Sequence, residues 1–126
     1  IMAADRVVIP VQPSPYDVWA AAETVEMIRE AQTFRVGPYA VFTINRKVVN
    51  TAIGRDVRAA LARYEVPTLD AAVCQRISFA ESAAEGRTVL EVAPGSLAAN
   101  EIRQLAREIL GERRRSHHGR EESRHI

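Results

Sequence analysis

A parallel α/β sheet with helices on its faces is the fold class this sequence predicts. Two observations carry it. Short apolar runs rich in β-branched residues alternate with stretches of helical period, and polar residues collect where each apolar run ends. With 126 residues, 47% hydrophobic and 26% charged, the chain has the length and composition of one compact globular domain.

Arg6 to Val11 is a continuous apolar run, the pattern of a parallel strand buried on both faces. Ser14, Pro15 and Asp17 then suit an N-cap, the first helical position and the third residue of a capping box. Val18, Ala22, Val25 and Ile28 give that helix an apolar stripe reaching about Gln32. Gly37-Pro38 marks a turn, and Tyr39 to Ile44 reads as a second strand ending at Asn45, Arg46 and Lys47. From about Thr51, the residues Ile53, Val57, Leu61 and Tyr64 predict a helix that Pro67 stops. Leu69 to Cys74 is a weaker strand candidate because of its alanines.

Ser78 to Glu85 predicts a short helix ended by Gly86, and Thr88 to Val92 an extended stretch. Ala98, Ile102, Leu105 and Ile109 mark a last helix from about Ser96, ended by Gly111. The ordered part is therefore expected over residues 1–111, and residues 112–126 as a basic, histidine-containing disordered tail with almost nothing apolar to bury.

Several function classes are disfavoured by composition. The apolar runs are far shorter than the about 20 residues a membrane helix needs, and residues 1–6 lack a secretory pattern. One cysteine, Cys74, permits neither an internal disulfide nor a multi-cysteine metal site, which suits a cytoplasmic protein. Net charge is +1, and residues 112–126 hold five of the 17 basic side chains and three of the 16 acidic ones. The body is thus near neutral, so a nucleic-acid role has to rest on where individual arginines lie. His117, His118 and His125 have no fixed spacing that would favour a metal site.

In a parallel α/β sheet, ligands gather at the carboxyl ends of the strands. Gln12 to Ser14, Asn45 to Lys47 and Gln75-Arg76 are expected to share that edge. The bland alternative is that these loops are polar because they are solvated.

Val8 to Asp17, Phe42 to Lys47, Gln75 to Ser82 and the closing helix, taken in order, resemble the ParA/ParF-like partition ATPases of the deviant-Walker P-loop group, which includes MinD. The resemblance covers about residues 3–110. It implies the C-terminal portion of a three-layer P-loop NTPase-like sheet, with about three strands alternating with helices. The glycine-rich phosphate loop and the Mg²⁺-linked aspartates of that family have no counterpart in this sequence, whose one lysine is Lys47. A fragment or truncated reading frame, inactive in ATP hydrolysis by itself, is therefore expected.

The resemblance also implies roles for particular residues. Asn45, Arg46, Pro13 and Gln75 fall where the family contacts the nucleotide, and Asn45 carries an amide suited to adenine because it both donates and accepts. Its alternative is a turn-capping amide. Pro10, Pro15 and Asp17 fall in the proline-rich segment near the nucleotide and subunit contact, or merely stiffen a turn. Cys74 to Arg76 matches the loop that closes over the base, where relatives often carry proline at the site of Cys74 or its neighbour. Lys47, Arg55, Arg58, Arg76 and Arg87 are the candidate contacts to DNA phosphates, each otherwise a solvated charge.

For the intact protein the resemblance implies ATP or ADP with Mg²⁺, a sandwich homodimer in the ATP state, nonspecific DNA and a centromere-binding ParB-like partner. It places that protein in the bacterial cytoplasm at the nucleoid. A catalytically dead ParA-like binding module is the competing reading. A MinD-like membrane-surface protein is weaker, because Arg113 to His118 offers no apolar face.

Overall fold

The computed structural model describes residue 1, residues 3–48 and residues 52–122, with the side chains of 53–55 and 112–122 outside the description. Its elements are β1 (Arg6–Val11), α1 (Pro15–Gln32), β2 (Tyr39–Lys47), α2 (Ala52–Leu61), a 3₁₀ turn (Ala62–Tyr64), β3 (Thr68–Cys74), α3 (Ile77–Ala84), α4 (Val89–Val92) and α5 (Leu97–Glu122). The strands form one sheet in the order β1-β2-β3, parallel at both pairings. The expected α/β class is therefore observed, in a form consistent with part of a P-loop NTPase-like domain.

One face of the sheet is closed by α1 and α2. Strand alternation turns Ile9 and Val11 of β1, with Phe42 and Ile44 of β2, toward this face. They form one cluster with Ala21, Val25 and Ile28 of α1 and Val57 and Leu61 of α2. The Phe42 ring meets Tyr64 edge-on, centroids 6.1 Å apart, and the Tyr64 hydroxyl donates to the Val18 carbonyl. Pro10, between Ile9 and Val11, is exposed, so β1 is not buried on both faces as its apolar run suggests.

The other face is only partly covered. Helix α5 lies against β3, and a smaller cluster of Val89, Ala98 and Ala99 packs with Phe79, Ala93 and Ile102 to hold α3 and α4 to it. Arg6 of β1 donates to the Ile109 carbonyl at 2.6 Å, fastening α5 across the sheet.

Three local expectations change. Ser14 sits at the N-cap of α1, but its side chain makes no cap bond. Its N–H is already donated to the Gln12 carbonyl, so Asp17 accepts instead from Gln12 N at 2.7 Å. Thr88 to Val92 is a helical turn and not extended. Thr88 and Glu91 form a reciprocal capping box, and that pairing satisfies two of the N–H groups a helix start leaves open. Finally, α5 continues past Gly111 to Glu122, so the segment expected as a disordered tail has helical backbone that far. Glycine costs a helix only about 1 kcal/mol relative to alanine, and the arginines and glutamates that follow favour it.

Candidate functional site

The carboxyl ends of β2 and β3 meet the partly covered face in an open cleft of about 1300 Å³. Thr43, Asn45, Arg46, Cys74, Gln75 and Arg76 line its polar side, and Pro10, Val73, Phe79, Ile102 and Leu105 its apolar side. Sequence-predicted residues from two strand ends, with Pro10 from the third, are thus brought together. Pro13 and Pro15 are not. They line a separate groove of about 550 Å³ beside Tyr16, Trp19, Asp56 and Ala60.

Local backbone irregularity shapes the β2 side. The β2-β3 register shifts between Ile44 and Lys47, and Arg46 adopts a left-handed φ of 53°, uncommon for a residue with a side chain. Irregularities of this kind re-aim side chains at strand ends. Asn45 Oδ1 accepts from Arg46 N at 3.0 Å, the turn-capping contact weighed as its alternative role. The amide oxygen thus steadies the turn at the end of β2.

The β3 side is pinned from two directions. Gln75 N donates to the Lys47 carbonyl at 2.9 Å. Cys74 N donates to Glu101 Oε2 of α5 at 2.8 Å. Arg76 then donates to Glu101 Oε1 through Nε at 2.8 Å and Nη2 at 2.6 Å. Glu101 is 14% exposed, which keeps this charge-assisted set well shielded from water. Burial, and after it the nearby Glu101 carboxylate, hold the Cys74 thiol above its ordinary range. A thiol so placed is less nucleophilic at neutral pH, as expected of packing and not of a reactive cysteine.

The candidate phosphate-contacting cations lie in unlike settings. Arg58 donates to the carbonyls of Leu69 and Asp70 at 3.0 and 2.9 Å, bracing α2 against β3. Arg76 is held by Glu101. Arg87 is exposed, with Glu91 at 3.7 Å, and Lys47 is half-buried at the end of β2. The side chain of Arg55 and those of the tail histidines lie outside the described residues. The described residues bring together no group of three or more His, Cys, Asp or Glu that would hold a metal ion.

Two residues escape the sequence reading, Thr43 in the cleft and Glu101 of α5, which bonds to Cys74 and Arg76 on its β3 side. Thr43 is 5% exposed, and its hydroxyl has no hydrogen-bond partner among the described residues. Strand period places it with Asn45 on the face opposite Phe42 and Ile44, a signal available in the sequence. Glu101 carries no such signal, because its role requires α5 to lie along β3. An unpartnered buried hydroxyl at the cleft is unfavourable by about 1–3 kcal/mol, and a polar ligand atom there relieves that cost.

No family model matches the chain. The chain is similar to the maintenance of carboxysome distribution protein A of Halothiobacillus neapolitanus, 32% identical over 111 residues. That alignment covers 87% of this chain and 51% of the relative, so the chain spans about half the relative's length.

Replacing Thr43 by valine, which keeps the shape and removes the hydroxyl, is expected to raise the unfolding free energy of the ligand-free chain by about 1 kcal/mol. Urea denaturation measures it. A loss of stability would show that the hydroxyl has a partner.

Proposed function

We propose that this chain is the C-terminal half of a ParA-type ATPase that segregates DNA or positions a cargo, and that its cleft receives the adenine base of ATP. The observation that carries the reading is the junction of Asn45 and Gln75 at one cleft, with the unpartnered Thr43 hydroxyl beside them. Similarity to a protein named for carboxysome distribution supports positioning of a cargo.

In this reading the chain binds and orients the base. Contacts to the triphosphate and Mg²⁺ belong to the other half of the protein, and ATP hydrolysis to the whole. The ATP-bound homodimer, nonspecific DNA and a ParB-like or equivalent adaptor are its partners in the same proposal, at the nucleoid in the cytoplasm. No helix among the described residues is long and apolar enough to cross a membrane.

Asn45→Ala tests the base contact. Loss of the Asn45 contact, leaving its partner on the base unsatisfied, is expected to cost about 1–3 kcal/mol, which weakens ATP binding by about 5- to 150-fold. Isothermal titration of the intact protein measures it, and equal affinity of variant and wild type removes Asn45 from the site.

DNA binding tests the second half of the proposal. A sequence-indifferent phosphate contact gives a log–log salt slope of about −0.9 for each phosphate neutralised on duplex DNA. Arg87, the exposed arginine among Arg58, Arg76 and Arg87, is the expected contact. Arg87→Ala in an ATP-bound dimer then makes the slope shallower by about two units, one per subunit. Arg58→Ala, by contrast, is expected to act through folding, because its guanidinium holds α2 to β3. An unchanged slope for Arg87→Ala in a salt titration of labelled duplex moves the DNA contact elsewhere.

A further inference from the structure

We propose that Glu101 is the positioning residue of the cleft, fixing the turn from Cys74 to Arg76 so that Gln75 is set opposite Asn45 for base recognition. The role in recognition rests on the reading of the cleft as a base site; the clamp itself rests on geometry alone.

Consecutive backbone N–H groups of a strand point to opposite edges. At the end of β3 this alternation is used on both sides. Gln75 N reaches inward to β2 and Cys74 N reaches outward to Glu101. A single carboxylate divides its two oxygens between jobs. Oε2 holds the strand, and Oε1 holds the Arg76 side chain through two donors. Arg76 is also the N-cap residue of α3, yet no side chain caps that helix. The bonds to Glu101 therefore link the helix start to α5 by another route. With strand end, turn and helix start all tied to one residue, Gln75 has little freedom to leave its place beside the β2 end.

Glu108 provides the internal control. It lies two turns further along α5 and accepts from Asp70 N and Ala71 N at 2.6 and 2.8 Å. It grips the same strand, through two consecutive N–H groups where the alternation breaks, but touches nothing at the turn. Loss of Glu108 and loss of Glu101 should therefore loosen β3 alike, while only the second should free the turn.

The test uses this chain and adenosine as the probe, with guanosine as its competitor. Amide hydrogen exchange and the titration of Asn45 resonances are measured by NMR for wild type, Glu101→Gln, Glu101→Ala and Glu108→Gln. Glutamine keeps the size but replaces one acceptor oxygen by a donor, so it cannot hold strand and arginine together. Both Glu101 variants are expected to speed exchange at Cys74 and Gln75 by about tenfold or more. They are also expected to weaken adenosine and bring its preference over guanosine toward unity, with Glu108→Gln leaving selectivity unchanged. Unchanged exchange at the turn in Glu101→Ala overturns the clamp. Faster exchange with adenosine affinity and selectivity intact overturns the positioning role. A wild-type chain that titrates with neither nucleoside defeats the base-site reading and the role in recognition, and the exchange data then show whether the clamp stands without it.

Discussion

The outer edge of β3 is the constraint on which the arrangement depends. Among the described residues no strand pairs with that edge, and its backbone donors need partners. Helix α5 supplies them through Glu101 and Glu108. The dimensions agree. Seven residues of helix rise about 10.5 Å, and the three residues from Ala71 to Cys74 span about 10 Å of strand. Because Glu101 meets the later strand residue and Glu108 the earlier ones, α5 runs antiparallel to β3. That placement leaves the middle of the sheet's second face partly bare, and the cleft is the bare part.

The same economy explains the arginines. Arg58, Arg76 and Arg6 each spend their donors within the fold, on β3 carbonyls, on Glu101 and on the end of α5 respectively. A charge count cannot separate such internal fasteners from cations that face a partner. The near-neutral body is therefore less informative than the fate of each guanidinium. Of the arginines singled out as DNA contacts and described here, Arg87 is the one whose surroundings leave it most exposed to solvent.

The sheet was legible in the sequence because burial writes a periodic pattern. Ile9, Val11, Phe42, Ile44, Val25 and Ile28 occupy the core that their spacing indicates. Thr88 to Val92 was misread because its β-branched residues outweighed a capping box, Thr88 with Glu91, that is itself a sequence signal. The end of α5 was misread because one glycine was given more weight than the helix-forming residues around it. Asn45, Gln75 and Arg76 were found as polar strand ends, and the fold brings them to one cleft. The resemblance implies a nucleotide contact for Pro13 and a nucleotide or subunit contact for Pro15, but α1 begins there and carries both to the other groove. Glu101 was invisible, since its three hydrogen bonds span 25 to 27 residues of chain and arise from packing.

Direct mapping of the contact tests whether the cleft is a base site. Side-chain amide resonances of Asn45 and Gln75, followed by NMR while adenosine is added to this chain, should shift together and saturate. The Trp19 indole signal, in the separate groove, should stay in place. Saturable shifts at Trp19 with Asn45 and Gln75 unmoved would contradict the account and place the ligand against Pro13 and Pro15 instead.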